Sequence, residues 1–231
     1  MRFGFGAVAI LLFVCLSRAD AQDALPSQKE FQAPGGKGRV VVVVSGQSGP
    51  ANYAHYAKDV AEQGFYAVLV DGNDFWLKGG GGEALLKGVI TRAQESPNAL
   101  PGKAAVIGFS LGGASTLAYA TRMPELVSAV VVNYPGTFFI TDPGAFVAKI
   151  KVPTLMLAGV RDTYKNCCLI ETARKLADAA KANQVGAMFE VVEYPEAAHG
   201  WNIKASKEWR EGDSADGLRR ALKHLRDHAA E

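Results

Sequence analysis

The chain has 231 residues, of which 48% are hydrophobic and 21% are charged, a composition ordinary for a packed globular core. The length suits a single domain. The net charge is only +2 and no basic stripe or charge block occurs, so nucleic acid is a poor candidate partner. The cysteines and histidines form no CxxC pair or His/Cys cluster along the sequence, so no metal site is predicted.

The first 21 residues differ from everything after them. Arg2 precedes an apolar run from Phe3 to Leu16, and the polar stretch that follows ends in Ala19-Asp20-Ala21. This order is typical of an export signal, cleaved here before Gln22. The apolar run is shorter than the roughly 20 residues of a membrane-spanning helix, so we expect no stable membrane anchor. The sequence therefore predicts an exported protein, periplasmic or secreted, that consists of residues 22–231.

Short apolar runs alternate with helix-compatible segments along the rest of the chain. The predicted strands are an edge hairpin strand at Glu30–Ala33, then Val40–Val44, Phe65–Val70, Ala104–Gly108, Val127–Val132, Val152–Ala158 and Ala187–Tyr194. Six helices are predicted. The first ends at Gly64, the second spans Glu83–Glu95 and the third ends near Pro124. The other three are Gly144–Ile150, Cys167–Ala182 and a final helix around Leu218–Leu225. This alternation predicts an α/β fold in one domain, with a mostly parallel central sheet, helices on both faces and no large cap domain.

The stretch from Gly108 to Gly112 is the most informative in the chain. The apolar strand at Ala104 runs into Gly108-Phe109-Ser110-Leu111-Gly112, and a run of small residues compatible with a helix follows. Strand, sharp turn and helix around a Gly-x-Ser-x-Gly frame are typical of a nucleophile elbow. The glycines allow close packing at the turn, where the serine takes a strained backbone conformation. Ser110 is therefore the candidate nucleophile.

Two later strand ends supply candidate partners for this serine. Asp162 follows the strand that begins at Val152, and His199 follows the strand that ends at Tyr194. The carboxyl ends of parallel strands meet at one edge of the sheet, and the order Ser, Asp, His is that of a hydrolase triad on such a sheet. His199 is the candidate base and Asp162 the residue that orients it, and we expect activity to be lost as His199 becomes protonated in mildly acidic solution.

Other residues compete less well for these roles. The remaining histidines, His55, His224 and His228, fall on predicted amphipathic helices, where solvated or helix-end positions explain them. Asp162 itself has an alternative explanation as a helix-start carboxylate. The alternative carboxylates are Asp71 and Asp74, which precede the serine, and Asp142, which lies in the connection after Tyr134.

The sequence also suggests an oxyanion hole and a substrate pocket. The backbone N–H of Leu111, directly after the nucleophile, is one expected donor, and Gln47 in the loop Ser45-Gly46-Gln47-Ser48-Gly49 is the other. Four aromatic residues of loops at the same sheet edge are candidates for a substrate pocket, with a plain role in covering the loop core as the alternative: Phe75, Trp76, Tyr134 and Trp201.

The adjacent cysteines Cys167 and Cys168 allow three interpretations. They are small apolar residues packed at a helix start, a bridge between neighbours, or the source of an intermolecular bridge. A bridge between neighbours is awkward, because consecutive Cα atoms lie about 3.8 Å apart, below the usual disulfide range.

These motifs together resemble the dienelactone hydrolase family of the α/β-hydrolase superfamily. The similar segments are Gly64–Val68 leading to Asp71, Ile107–Gly113, Pro153–Gly159 with Asp162, and Tyr194-Pro195 with His199-Gly200-Trp201. The resemblance implies cofactor-free hydrolysis of small esters or lactones. Dienelactone hydrolases proper use a cysteine nucleophile, whereas the matching position here is Ser110, which favours a serine esterase over the namesake lactone chemistry. Two alternatives are a serine peptidase of the same fold and a binding protein that has kept the fold without catalysis.

Overall fold

The computed structural model describes residues 25–76 and 81–229, so the predicted export signal at residues 1–21 lies outside the described residues. Seven strands form one sheet in the order β1-β3-β2-β4-β5-β6-β7. Only β1 runs antiparallel to its neighbour, and the other pairs are parallel. In the described part of the chain, no helix is long and apolar enough to cross a membrane.

The elements follow the alternation expected from the sequence. The strands are β1 Gln28–Phe31, β2 Arg39–Val44, β3 Phe65–Val70, β4 Ala104–Phe109, β5 Val127–Asn133, β6 Thr154–Gly159 and β7 Phe189–Tyr194. The α-helices are α1 Ala54–Glu62, α2 Asn73–Trp76, α3 Gly82–Gln94, α4 Ser110–Tyr119, α5 Pro143–Val147, α6 Ile170–Ala182 and α7 Glu211–Asp227.

The central strands are buried on both faces, which explains why they read as continuous apolar runs. Val42 and Val44 of β2 point into the core that α3 and α6 cover, with Leu86 as one of its helix contacts. Val41 and Val43 point into the core on the other face, which α1 and α7 cover. The sheet therefore separates two hydrophobic cores, and its carboxyl edge is left for a site.

Two sequence predictions need correction. The first strand does not form a hairpin with the next one, because β2 is already paired with β3 and β4; β1 pairs instead with β3, at the edge of the sheet. The helix predicted from Cys167 begins only at Ile170. A short 3₁₀ turn over Tyr164–Asn166 precedes it, and the extended backbone of Leu169 (φ −65°, ψ 138°) is incompatible with a helix that runs on from Cys167.

Candidate active site

The turn at Ser110 joins β4 to α4 through close backbone contacts. Ser110 has φ of 50°, a left-handed conformation that is rare for residues other than glycine. A Cβ on Gly112 would lie 2.2 Å from the carbonyl oxygen of Ser45, and one on Gly108 would lie 2.4 Å from Oγ1 of Thr116. Glycine is therefore required on both sides of the serine. The strain at Ser110 lets β2, β4 and α4 pack against one another at this turn.

His199 lies in the loop after β7 and connects Ser110 to Asp162. Its Nε2 is 2.9 Å from Oγ of Ser110, and its Nδ1 is 2.7 Å from Oδ2 of Asp162. A carboxylate can only accept, so Nδ1 carries a proton that it donates to Asp162, and the lone pair of Nε2 accepts the Ser110 hydroxyl proton. This geometry allows the imidazole to remove the serine proton while the buried carboxylate stabilises the resulting imidazolium.

Asp162 is held in place by the loop that follows β6. Its side chain is fully buried, and its second oxygen, Oδ1, accepts the backbone N–H of Tyr164 at 3.1 Å. Its own backbone N–H donates to the carbonyl oxygen of Gly159 at 3.3 Å. Both carboxylate oxygens therefore have a donor, which fixes the direction from which His199 is bound.

A cavity of about 490 Å³ opens directly over the serine and the histidine. Ser110, His199, Tyr134 and Tyr53 line it near the sheet, and Gln47 lies on the side of the loop after β2. Its volume lies in the range of small-molecule sites. Leu111, one of the two expected oxyanion donors, lies in the first turn of α4, where backbone N–H groups have no intrahelical acceptor.

A buried chain of side-chain hydrogen bonds ties the histidine loop to β5. The hydroxyl of Tyr134 donates to Oδ1 of Asn202 at 2.8 Å, and Nδ2 of Asn202 donates to Oδ1 of Asn133 at 2.7 Å. Burial raises the pKa of Tyr134 well above its ordinary value, which keeps the hydroxyl protonated as a donor. All three residues are at most 1% exposed. Asn202 lies three residues after His199, so this chain of bonds holds the loop that carries the imidazole.

Two aromatic rings pack directly on the imidazole of His199. Tyr164 stacks on it with ring centroids 4.4 Å apart and an interplanar angle of 13°. Tyr134 meets it at 64°, with centroids 4.9 Å apart. Together with Asp162 and Ser110, these rings leave the side chain of His199 only 16% exposed. The ring plane is therefore restrained by packing as well as by hydrogen bonds.

The aromatic residues expected at the pocket lie in different places. Tyr134 lines the cavity, but Phe75 is buried in the core under α3 and α4. Trp76 packs against the rings of Phe138 and Phe139. Trp201 is completely buried and packs on Tyr194. Of the four candidates, Tyr134 is among the residues that line this cavity, whereas Phe75 and Trp201 follow the alternative interpretation and fill the cores.

Four of the competing residues named from the sequence have other structural roles. His55 packs edge-on against Trp209, and His224 donates from Nε2 to the carbonyl oxygen of Pro153. Asp71 accepts the backbone N–H of Asn73, and Asp142 caps the N-terminus of α5. Each of these residues makes this contact away from the cavity over Ser110.

Sequence reasoning missed several residues around the imidazole. Tyr164 lies in a short polar segment with no periodic signal, Asn202 is a lone polar residue in the loop after β7, and Asn133 is the last residue of β5. Cys167 and Cys168, for which a bridge between neighbours was one of three interpretations, form a disulfide with each other. Their Sγ atoms and a ring nitrogen of His199 all lie within 4.8 Å of one another. Only the position of Asn133 at the end of an apolar strand, where side chains reach the carboxyl edge, hinted at a role.

Comparisons with known proteins point to one family. The model of the dienelactone hydrolase family matches residues 77–229. A Yersinia pestis protein assigned as a carboxymethylenebutenolidase is 30% identical over 131 residues, which are 54% of this chain and 47% of that protein. The chain thus spans about half the length of the curated relatives it matches.

Solved structures with a similar fold cover most of the chain. A Klebsiella pneumoniae protein assigned as a dienelactone hydrolase superposes with a TM-score of 0.71 at 19% identity, covering 87% of this chain and 99% of that one. Esterase 2 of Thermogutta terrifontis, phosphorylated by paraoxon, gives a TM-score of 0.66 at 18% identity, covering 87% and 88%. At such low identities, these TM-scores show that the fold is shared.

Proposed function

The chain belongs to the dienelactone hydrolase family of the α/β-hydrolase fold, and from that premise we propose that it is an exported serine hydrolase that cleaves small esters or lactones. The observation that carries the proposal is the continuous hydrogen-bonded series from Ser110 through His199 to Asp162, open to a cavity of about 490 Å³. A serine hydroxyl is a weak nucleophile unless a neighbouring base takes its proton, and this series provides that base.

The proposed reaction has two halves that use the same residues. His199 removes the proton of Ser110 as Oγ attacks the carbonyl carbon, and the N–H groups of Leu111 and Gln47 stabilise the oxyanion. His199 then gives the proton to the departing alcohol oxygen, which leaves an ester on Ser110. Water, deprotonated by His199, attacks this acyl group, and the acid and free serine are released.

The choice of ester or lactone over amide rests on the family. The curated relatives are assigned as carboxymethylenebutenolidases, and one structural neighbour is an esterase. The volume of the cavity agrees with a small-molecule substrate. The serine at position 110, where dienelactone hydrolases proper carry cysteine, favours esterase chemistry over the namesake reaction.

Covalent labelling tests the nucleophile directly. Paraoxon should phosphorylate the wild-type chain once, with the modified residue at Ser110 by peptide mass spectrometry, and Ser110→Ala should not react. Ser115→Ala is the matched control, because Ser115 lies in the same helix and donates to the carbonyl oxygen of Gly112 at 2.9 Å. A wild-type chain that does not label would leave a binding protein as the better account.

A substrate screen then separates the reaction classes. Short-chain and aromatic esters, lactones and the matching amides should be compared at equal concentration. We expect turnover of the esters or lactones to exceed that of the amides. Preferential turnover of amides would identify a serine peptidase instead.

Export is part of the proposal and has its own test. The residues that carry it, 1–21, should direct the full chain out of the cytoplasm and be removed. Mass spectrometry of the protein recovered outside the cytoplasm should show a chain that begins at Gln22. A cytoplasmic chain that retains Met1 would contradict export.

A further inference from the structure

A pair of sulfur atoms lies beside the proposed catalytic base. The disulfide between Cys167 and Cys168 is on the loop that follows Asp162. Both Sγ atoms and a ring nitrogen of His199 lie within 4.8 Å of one another. The proposed mechanism uses neither cysteine, so the two sulfurs need a separate explanation.

The backbone at these cysteines is held by contacts that do not involve sulfur. The carbonyl oxygen of Cys167 accepts both the backbone N–H and the hydroxyl of Thr137, at 2.8 and 3.1 Å. The N–H of Cys167 donates to the carbonyl oxygen of Tyr164 at 3.0 Å. The rest of the loop is fixed by Asp162 and by the stacked ring of Tyr164. Opening the disulfide would therefore leave both sulfur atoms next to His199.

We propose that the reduced chain holds a thiophilic divalent cation, of the Zn²⁺ or Cd²⁺ class, between Cys167, Cys168 and His199. A dithiol or phosphine reductant first opens the disulfide: with a phosphine and one water, the products are two thiols and a phosphine oxide. The cation then replaces the two thiol protons, which are released to solvent. With the disulfide closed, the sulfurs offer no thiolate and the site does not form.

The donor set and the spacing suit such an ion. Two thiolates and one imidazole are common zinc ligands, and a fourth position is left for water. Zinc–sulfur and zinc–nitrogen bonds of about 2.3 and 2.1 Å place tetrahedral ligands about 3.6 Å apart. The two sulfurs, bonded to each other in the disulfide, would move apart to about this distance, and each would lie no more than about 1 Å too far from the ring nitrogen. The free thiols can do this by rotation about χ1. The neighbouring carboxylate of Asp162 adds a negative charge that favours a cation.

An ion at this site would stop hydrolysis, an expectation that rests on the proposed function. If the ion takes Nε2 of His199, Ser110 loses the acceptor of its proton; if it takes Nδ1, the bond to Asp162 is lost. Either choice removes the base. The disulfide would thus protect an exported esterase from thiophilic metals, and reduction would expose it to them.

The test compares the oxidised and reduced forms of residues 22–231, which lack Cys15, and reads binding separately from activity. After phosphine reduction and removal of the reductant without oxygen, Cd²⁺ is added, and the thiolate–cadmium charge-transfer absorbance is followed beside ester turnover. The reduced chain should bind one Cd²⁺ and lose activity at least 10-fold over the same titration. A chelator should restore the activity. The oxidised chain should show no charge-transfer absorbance and keep its activity.

Matched variants identify the ligands. His199→Ala should weaken Cd²⁺ binding to the reduced chain at least 10-fold, whereas His55→Ala should not. The double variant Cys167→Ser, Cys168→Ser should keep ester turnover, lose the absorbance and resist Cd²⁺. Cys167→Ala, Cys168→Ala repeats this should the serines impair folding.

Two results would overturn the site. One is unchanged Cd²⁺ affinity in His199→Ala, and the other is equal inhibition of the oxidised and reduced chains. Absence of ester turnover with binding intact would instead refute only the proposed function, because the absorbance does not depend on catalysis.

Discussion

The two halves of the proposed active site are positioned by different means. Ser110 is held by backbone: the glycines around it lie against main-chain atoms of β2 and against α4. His199 and Asp162 lie in two loops, after β7 and β6. The backbone N–H of Arg161 joins these loops through the carbonyl oxygen of Ala197, and side chains add the buried bonds through Asn202 and the stacked ring of Tyr164. The nucleophile thus depends on a few glycines that cannot be replaced, and the acid–base pair on contacts that can be weakened one at a time.

This difference predicts different mutational behaviour. A side chain added where two backbone segments are in contact would clash with main-chain atoms, so the substitution should lower the stability of the whole protein. Removal of a side chain from the loops should leave the protein folded but displace the imidazole of His199. A displacement of about 1 Å can lower the rate on the order of 100-fold. The substitutions below test this contrast.

The largest effect is expected for Gly112→Ala. The new methyl group would lie 2.2 and 2.6 Å from the carbonyl oxygens of Ser45 and Val44, which belong to the end of β2 and its loop. Neither backbone oxygen can move without breaking the packing of α4 on the sheet. We expect a loss of about 3 kcal/mol or more in the free energy of unfolding, measured by urea denaturation, and loss of ester turnover.

Gly212→Ala is the control for this substitution. Gly212 lies in the first turn of α7, and a Cβ there would meet no atom within 4 Å. Alanine favours a helix over glycine, so stability should stay equal or rise by up to about 1 kcal/mol. If Gly112→Ala were as stable and active as Gly212→Ala, the elbow would not be the rigid half.

The next effect is expected for Asn202→Ala. Its removal leaves the hydroxyl of Tyr134 without its acceptor and Oδ1 of Asn133 without its donor, in a fully buried place. Each orphaned group costs about 1–3 kcal/mol. Because His199 lies on the same loop, we expect kcat to fall about 10–100-fold with KM little changed, measured by steady-state ester turnover.

Two variants show whether this loss comes from the loop. Tyr134→Phe removes only the hydroxyl and keeps the ring against His199, so its loss of kcat should be smaller. Asn183→Ala removes an exposed amide that binds the carbonyl oxygen of Ala179 at the end of α6, and should leave kcat unchanged. A rise in KM alone, with kcat unchanged, would show that Asn202 does not position the base.

The same contrast explains what the sequence could predict. The five valines of β2 and the run Phe65–Val70 predicted their strands because both faces are buried and the apolar signal is continuous. Ser110 was predictable because local sterics demand glycine around it. Tyr164, Asn202 and the partner of β1 were not, because they depend on contacts between distant segments that leave no local pattern. The closeness of the cysteines to His199 is of this second kind.

A smaller effect is expected for Tyr164→Ala. The ring of Tyr164 stacks on His199, while its backbone N–H, which the substitution keeps, still donates to Asp162. Ring stacking is worth about 0.5–1.5 kcal/mol, which corresponds to about 2–10-fold in rate. We expect a loss of kcat in that range, and recovery in Tyr164→Phe. Equal losses in both variants would assign the effect to the hydroxyl instead of the stacked ring.

The smallest effect is expected for the acid sensitivity of the protein's stability, through a histidine of α7. His224 of α7 donates to the carbonyl oxygen of Pro153, just before β6, and burial lowers the pKa of His224 below its ordinary value. The unfolded chain therefore binds a proton more readily than the folded one, so stability is full above about pH 6.5 and falls as the pH drops below it.

His224→Gln isolates this contribution, because the amide can still donate to Pro153 but does not titrate. His55, whose pKa burial also lowers, is unchanged in this variant, so part of the acid sensitivity should remain. Between pH 8 and pH 5, we expect the Tm of the wild type to fall further than that of His224→Gln, by no more than about 2–4 °C. Thermal unfolding followed by circular dichroism at both pH values measures the difference. If the Tm of both proteins fell equally, protonation of His224 would not weaken the packing of α7 on the sheet. The acid–base half of the site would then depend on its loops alone.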